Sequence, residues 1–180
     1  HGHGTHTECL GHITNEVYSV NQTLKTYFFK AKLITIVPEE INGDFILKSS
    51  SFEKALGNEK IEAVVIRTIP NLDFKKHKNY SATNPPYIEE KAITLFNQLG
   101  IKHLLIDLPS VDREEDGGKL AFHHAFWQVP ENPQFDKTIT EFIYVPDEVR
   151  DGNYILNLQT APFENDASPS RPVLFEINTK

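Results

Sequence analysis

Four of the chain's eight histidines fall within its first twelve residues, in the run His1-Gly2-His3-Gly4-Thr5-His6-Thr7-Glu8-Cys9-Leu10-Gly11-His12. Imidazole and carboxylate together suit Zn²⁺, Mn²⁺ or Fe²⁺, and the interleaved glycines let the backbone bend so that side chains converge. In an extended segment His6 and Glu8 point to the same side, and His12 shares their parity. A second set of such residues, His123, His124 and Glu141, lies far downstream. A divalent ion held between the two places would make water a usable nucleophile near neutral pH, so the chemistry expected is metal-dependent hydrolysis. A purification-tag remnant would be a plain histidine run, which this segment is not. A solvated polar loop is the other bland alternative.

The individual residues carry competing roles. His123 and His124 are adjacent on an expected helix and point about 100° apart, so only one should reach an ion. His103 sits in an apolar strand and reads as a core histidine, and His77 as exposed. Cys9 is either a nucleophile or, more commonly, a small buried hydrophobe. Asp107 and Asp112 suit support of a ligating histidine, or turn and cap roles. Phe126 and Trp127 suit core packing or an aromatic pocket.

The elements that must position these residues follow from apolar patterning. Ile61 to Arg67 and Ile101 to Asp107 contain continuous apolar runs and read as buried strands. Between them, residues 86 to 99 carry an apolar stripe through Ile88, Ala92, Leu95, Phe96 and Leu99, with Asn84 as cap, Pro85 and Pro86 at the entry and Gly100 at the end. Strand, helix, strand predicts a parallel crossover, with ligands gathering beyond the carboxyl ends of the strands, here at Asp107 to Ser110. Further strands are expected at Lys32 to Val37, Ile139 to Val145, Asn153 to Gln159 and Val173 to Ile177. Short helices are expected at Phe52 to Leu56 and Leu120 to Trp127. Residues 128 to 138 and 161 to 172 read as loops. One domain over residues 1–180 is expected.

Bulk properties narrow the partners. Apolar residues make up 39% and charged residues 24% of 180 residues, an ordinary globular balance. A formal charge of −7 argues against a nucleic-acid partner. No apolar run reaches membrane-helix length, and no signal-like start is visible, so no membrane partner and a cytoplasmic location are expected. Cys9 is the single cysteine, which excludes an internal disulfide. Lys75-Lys76-His77-Lys78 reads as a solvated loop. The chain begins with His1 rather than methionine, which leaves targeting open.

At this point a resemblance becomes specific. Gly4-Thr5-His6-Thr7-Glu8, with His12 four residues on, resembles the H-x-G-T-H-x-D-x-x-x-H signature of the cyclase or kynurenine formamidase family, which also contains isatin hydrolase. Val65-Ile66-Arg67-Thr68 resembles the family's apolar strand ending in Arg-Thr. Residues Ile106 to Asp112 resemble its I-D-x-P-S-x-D segment, and His123-His124-Ala125-Phe126 its H-x-x-L helix. Thr140-Glu141-Phe142 and Gly152-Asn153-Tyr154 resemble its closing E-N-L and G-x-Y strands. The set recurs in order across nearly the whole chain.

The resemblance implies an α/β protein of the swivelling β/β/α fold, a mixed sheet packed with a few helices, with further strands upstream of residue 1. It implies a divalent metal cofactor, Zn or Mn, with two ions. His6 would bind one ion, Glu8 would bridge both in place of the usual Asp, and His123 and Glu141 would bind the second. His12 would be the general acid/base. The first motif histidine should stand at position 2, where Gly2 lies, so His1 is expected to supply that ligand, with His3 as the alternative. The implied substrate is a small anionic or amide compound of the N-formylkynurenine type or a related cyclic amide, as in tryptophan catabolism. A homodimer or higher homo-oligomer is expected. The alternatives are a non-catalytic metal-binding protein that keeps the fold, or a thiol enzyme using Cys9.

Overall fold

A strand such as Ala63-Val64-Val65-Ile66 can be apolar at every position only if both faces of its sheet are covered, and the fold covers both. The computed structural model describes residues 2–177. In chain order the strands are β1 (His6–Glu8), β2 (Phe28–Ile36), β3 (Glu39–Ile41), β4 (Asp44–Leu47), β5 (Ala63–Thr68), β6 (Tyr87–Ile88), β7 (His103–Ile106), β8 (Thr138–Glu141), β9 (Gly152–Asn157), β10 (Ala167–Pro169) and β11 (Val173–Glu176). The helices are α1 (Val20–Thr23), α2 (Ser49–Leu56), α3 (Ala92–Leu99) and α4 (Ala121–Trp127).

Eight strands form one mixed sheet in the order β10-β1-β8-β7-β5-β2-β9-β11, and β3, β4 and β6 form a small second sheet. The centre, β2, β5, β7 and β8, is parallel. The margins are antiparallel: β1 lies between β8 and β10, and β9 between β2 and β11. Strand alternation splits the core in two. Val64, Ile66, Leu104 and Ile106 face one cluster with Phe52 of α2, Phe96 of α3 and Phe126 and Trp127 of α4. Val65, Leu105, Leu33 and Leu156 face the other. This is the α/β architecture expected, a mixed sheet with a few helices, and the parallel pairing of β5 with β7 around α3 is the expected crossover.

Boundaries differ from expectation where pairing or backbone conformation overrides patterning. The helix expected from residue 86 begins at Ala92, because Tyr87 and Ile88 pair with Ile46 and Leu47 as a strand. Asn84 does not cap it; its side-chain amide donates instead to Asp44. Gly100 does end it, at φ 81 in the left-handed region. The strand expected to run to Val145 stops at Glu141, since Phe142 adopts φ 55 and turns the chain. The segment expected as a loop over 161 to 172 contains β10. The basic run at 75 to 78 is not wholly solvated: the Lys75 ammonium is buried 2.7 Å from Asp107 Oδ2 and also donates to the carbonyl and hydroxyl of Thr68. Among the described residues no helix is long and apolar enough to cross a membrane.

Candidate metal centre

The three residues of β1, His-Thr-Glu, have no apolar member, so the strand owes its place to neighbours on both sides. His6 pairs with Glu141 of β8 and Glu8 with Ile139. Ile139 belongs to the core beneath the helices, so His6, Glu8 and Glu141 project toward that face. Thr7 projects the opposite way and exchanges hydroxyl hydrogen bonds with Thr140 (2.8 Å) and Ser170 (2.9 Å). The helix α4 then brings His123 over the same spot.

Two of the imidazoles are oriented from behind. His6 Nδ1 lies 2.9 Å from the Gly4 carbonyl, which can only accept, so Nδ1 carries the proton and Nε2 faces the cluster. His123 Nδ1 lies 2.6 Å from Asp112 Oδ2, and its Nε2 lies 2.9 Å from Glu8 Oε1. Asp112 also accepts from the amides of Phe122 (2.7 Å) and His123 (3.1 Å), so one carboxylate caps α4 and aims its ring. Glu141 Oε1 accepts from the Val111 amide, while its Oε2 lies 3.6 Å from His6 Nε2. All four of His6, Glu8, His123 and Glu141 are buried.

Packing two carboxylates and two imidazoles away from water perturbs them. Burial pushes the Glu141 carboxyl well above the usual range, and the charge of Glu8 pushes it further. Burial opposes a charge on His123, but hydrogen bonds to Asp112 and Glu8 outweigh it and raise its pKa to about 10. Burial likewise works against the Asp112 carboxylate, and there His123 and the two amides prevail and hold its pKa below the ordinary value. Without a metal, His123 therefore holds its extra proton at neutral pH, and Glu141 binds a proton more readily than an ordinary carboxyl. An ion that takes these atoms must displace their protons, so metal binding should release protons and tighten as pH rises. Calorimetric titration of Zn²⁺ in buffers of different ionisation enthalpy should give heats that vary with the buffer; equal heats would contradict this.

The donor set fits a divalent ion on two observations. Glu8 Oε2 is buried and has no hydrogen-bond partner among the described residues, an arrangement that costs free energy unless something else satisfies it. Around Glu8, two groups of described residues bring one ligand atom each within 4.8 Å of one another: His6, Glu8 and Glu141, and Glu8, His12 and His123. Glu8 belongs to both, as a bridging carboxylate would. Imidazole nitrogen with carboxylate oxygen is a donor set for Zn²⁺, Mn²⁺ or Fe²⁺ rather than for Ca²⁺ or Mg²⁺.

The expected residues are thus distributed as follows. His6, Glu8, His123 and Glu141 come together, with Glu141 nearer to His6 than to His123, whose Nε2 lies 3.8 Å away. His12 sits at the cluster's edge, Nδ1 3.5 Å from Glu8 Oε2, with 34% of its side chain exposed. His3 is exposed and belongs to neither group, and His1 lies outside the described residues. His124 turns away, toward the Val129 carbonyl, and His103 is buried against Phe29. Cys9 is fully buried, with burial pushing its thiol up. Asp107 does not reach the histidines; it holds Thr68 and Lys75. Phe126 and Trp127 are core residues. The residue that patterning did not mark is Asp166, 3.1 Å from His12 Nδ1.

His12 is delivered by a single 3-10 turn, Leu10–His12, and Gly11 makes that turn possible. A Cβ on Gly11 would stand 2.2 Å from the Tyr18 carbonyl oxygen, a backbone atom that cannot swing away. Gly11→Ala should therefore destabilise the protein by about 1–3 kcal/mol, as overpacking does. Chemical denaturation checks this, and an unchanged midpoint would show that the turn relaxes freely.

Fold and cluster together define an α/β protein whose imidazoles and carboxylates are placed to hold divalent ions. Residues 1–113 match the family model described as "Putative cyclase", and the chain belongs to this cyclase family. That span contains His6, Glu8 and His12, whereas His123 and Glu141 lie beyond it. No protein of curated function matches. Among solved structures, a potential metal-dependent hydrolase with cyclase activity superposes with a TM-score of 0.71 at 16% identity, over 99% of this chain and 80% of that one. A predicted metal-dependent hydrolase from Bacillus stearothermophilus gives 0.67 at 18%, over 96% and 76%. An isatin hydrolase bound to the product analogue thioisatinate gives 0.63 at 21%, over 94% and 70%. These likenesses place the fold, which is the one the sequence resemblance implied.

Proposed function

We propose that the chain is a metal-dependent hydrolase acting on a small amide, formamide or cyclic amide. The observation that carries this reading is the buried Glu8 carboxylate, shared among the described residues by two groups of ligand atoms and left there with one oxygen without a hydrogen bond. Membership of the cyclase family supports it, as do fold relatives described as metal-dependent and isatin hydrolases. His6, Glu8 and Glu141 would hold one ion, Zn or Mn, and Glu8 with His123 a second. When bound, such ions supply Lewis acidity, polarising a carbonyl and lowering the pKa of water by several units.

The chain's own residues supply the rest. Gly4 and Asp112 hold the Nδ1 atoms of His6 and His123 from behind, so that Nε2 of each ring already faces the cluster before any ion arrives. His12, accessible at the edge of the cluster, is the group to accept a proton from the attacking water and return it to the leaving nitrogen. The two carboxylates that would touch the ions, Glu8 and Glu141, would offset half of two divalent charges, and the remaining positive charge at the ions would favour an anionic substrate and a developing oxyanion. An arylformamide such as N-formylkynurenine carries a carboxylate and meets both requirements, and a neutral lactam such as isatin meets the second through its developing oxyanion.

The test uses protein purified without a histidine tag. Elemental analysis should find Zn, Mn or Fe, a chelator should abolish hydrolysis of N-formylkynurenine or isatin, and adding the metal back should restore it. Protein free of these metals, or turnover that survives chelation, overturns the reading. Metal bound without hydrolysis of any small amide in a panel would leave a non-catalytic metal protein.

A further inference from the structure

We propose that Asp166 is a positioning residue that decides the role of His12: it keeps the ring out of the metal's ligand set and leaves its Nε2 as the proton-accepting atom. The inference rests on the acid–base role of His12 proposed above.

The three imidazoles of the centre are not held alike. In His6 and His123 the nitrogen facing the cluster carboxylates is Nε2, at 3.6 and 3.9 Å from Glu141 and Glu8 for His6 and 2.9 Å from Glu8 for His123. Their Nδ1 atoms are tied from behind, to Gly4 and Asp112. His12 is reversed. Its Nδ1 is the atom beside the cluster, 3.5 Å from Glu8 Oε2, and that same atom is held at 3.1 Å by Asp166 Oδ2. The contact to Asp166 is a hydrogen bond, whereas the distance to Glu8 is too long to satisfy Oε2, which stays unpaired.

An ionised carboxylate only accepts, so the ring proton lies on Nδ1. A protonated Nδ1 has no lone pair to give to an ion, although the distances would otherwise make His12 the third ligand of the group with Glu8 and His123. In a ring with one proton the lone pair is then on Nε2, as a general base requires. Free imidazole side chains favour the opposite arrangement, so the carboxylate does measurable work.

Asp166 is well placed to impose this. Its carbonyl accepts from the Cys9 amide at 2.9 Å, which extends the β1–β10 ladder by one residue beyond the Glu8–Ala167 pair. On its other side the Asn165 carbonyl accepts from the Val20 amide at the start of α1. The backbone carrying the carboxylate is thereby fixed to the strand that carries Glu8, and the distance from Asp166 to His12 is set by main-chain pairing.

The decisive experiment reads the tautomer directly in metal-free, ¹⁵N-histidine-labelled protein, with His12→Ala to assign the ring. In its neutral form, His12 should show a protonated Nδ1 and an unprotonated Nε2. Asp166→Ala should transfer the proton to Nε2 while the ring signals of His6 and His123 stay in place. A wild-type ring already protonated at Nε2, or a ring unmoved by Asp166→Ala, overturns the proposal, and neither outcome depends on metal or turnover.

Co²⁺-loaded protein supplies the second readout. His12→Ala should leave the visible cobalt bands of the wild type unchanged. Asp166→Ala should shift them as the freed Nδ1 joins the ion, and adding His12→Ala to that variant should undo the shift. Bands altered by His12→Ala in the wild type mean that His12 is already a ligand, and the proposal fails. In steady-state assays Asp166→Ala should lower kcat by about 10- to 100-fold, the scale of lost orienting partners, with little change in KM. If chelation shows the enzyme to need no metal, the hydrolase reading fails while the tautomer result still judges Asp166.

Discussion

Glu8→Gln is expected to lose nearly all turnover and most bound metal, with a larger effect than any other single replacement at the centre. Removing an orienting partner behind a ligand costs about 10- to 100-fold, and Glu8 stands in front of that layer. Its Oε1 meets His123 at 2.9 Å, and its Oε2 is the buried oxygen left unpaired. Glutamine keeps the volume but removes the charge, and it turns one oxygen into an NH₂ that cannot donate electrons to an ion. Because both groups of ligand atoms contain Glu8, neither escapes. Cys9→Ala is the internal comparison: the thiol is fully buried, its pKa is pushed up by burial, and its contact to the Tyr18 carbonyl is a weak 3.5 Å. That replacement should change kcat by no more than a few-fold. Metal content and kcat measured on both variants decide the matter. A tolerated Glu8→Gln beside an inactive Cys9→Ala would hand the chemistry to the thiol.

His12→Ala should lower kcat by ~10²–10⁴, the usual range for general acid/base assistance, and leave metal content nearly intact. The separation of the two readouts follows from geometry. His12 is the only imidazole of the cluster with substantial exposure among the described residues, so it can meet a substrate. Its cluster-facing nitrogen is engaged by Asp166, so its removal opens no coordination position. Elemental analysis alongside steady-state kinetics tests both halves. Loss of metal would make His12 a ligand, and unchanged kcat would move the proton transfer elsewhere.

The parts of this structure that could be read from the sequence are those with a single physical cause. The strands β5 and β7 announce themselves because burial on both faces leaves no polar alternation. The end of α3 is marked by Gly100, which the left-handed conformation requires. By contrast β1 has no apolar residue and is a strand only because β8 and β10 pair with it, and β10 lies in a segment whose prolines and serines signal a loop. Tyr87 and Ile88 fit the helical stripe that follows them, and only their pairing with β4 reveals a strand. The same division holds at the centre. His6, Glu8, His123 and Glu141 could be named from residue type and order. That Glu141 stands nearest His6 could not, since it depends on the register of β1 against β8. Asp166 carries no local signal; it meets His12 across 154 positions of sequence. Lys75 was hidden by its own neighbours, lysines that stay in water while it turns inward to Asp107.

The double duty of Asp112 has a consequence for how the protein breathes. The same carboxylate that aims His123 also holds the Phe122 and His123 amides in the first turn of α4, a helix of seven residues whose N-cap residue, Leu120, offers no side-chain cap of its own. A segment so short owes little to its own hydrogen bonds, and local opening of its first turn must release Asp112 and swing the imidazole out of the centre. Occupancy of the centre and closure of that turn are therefore one equilibrium. An ion held by His123 should slow amide exchange at Phe122 and His123 by the factor by which it favours the closed form, while the buried strands β5 and β7, which open only with the whole molecule, report global stability instead. Exchange rates at two amides then become a reading of the centre's occupancy taken from the backbone, without any substrate.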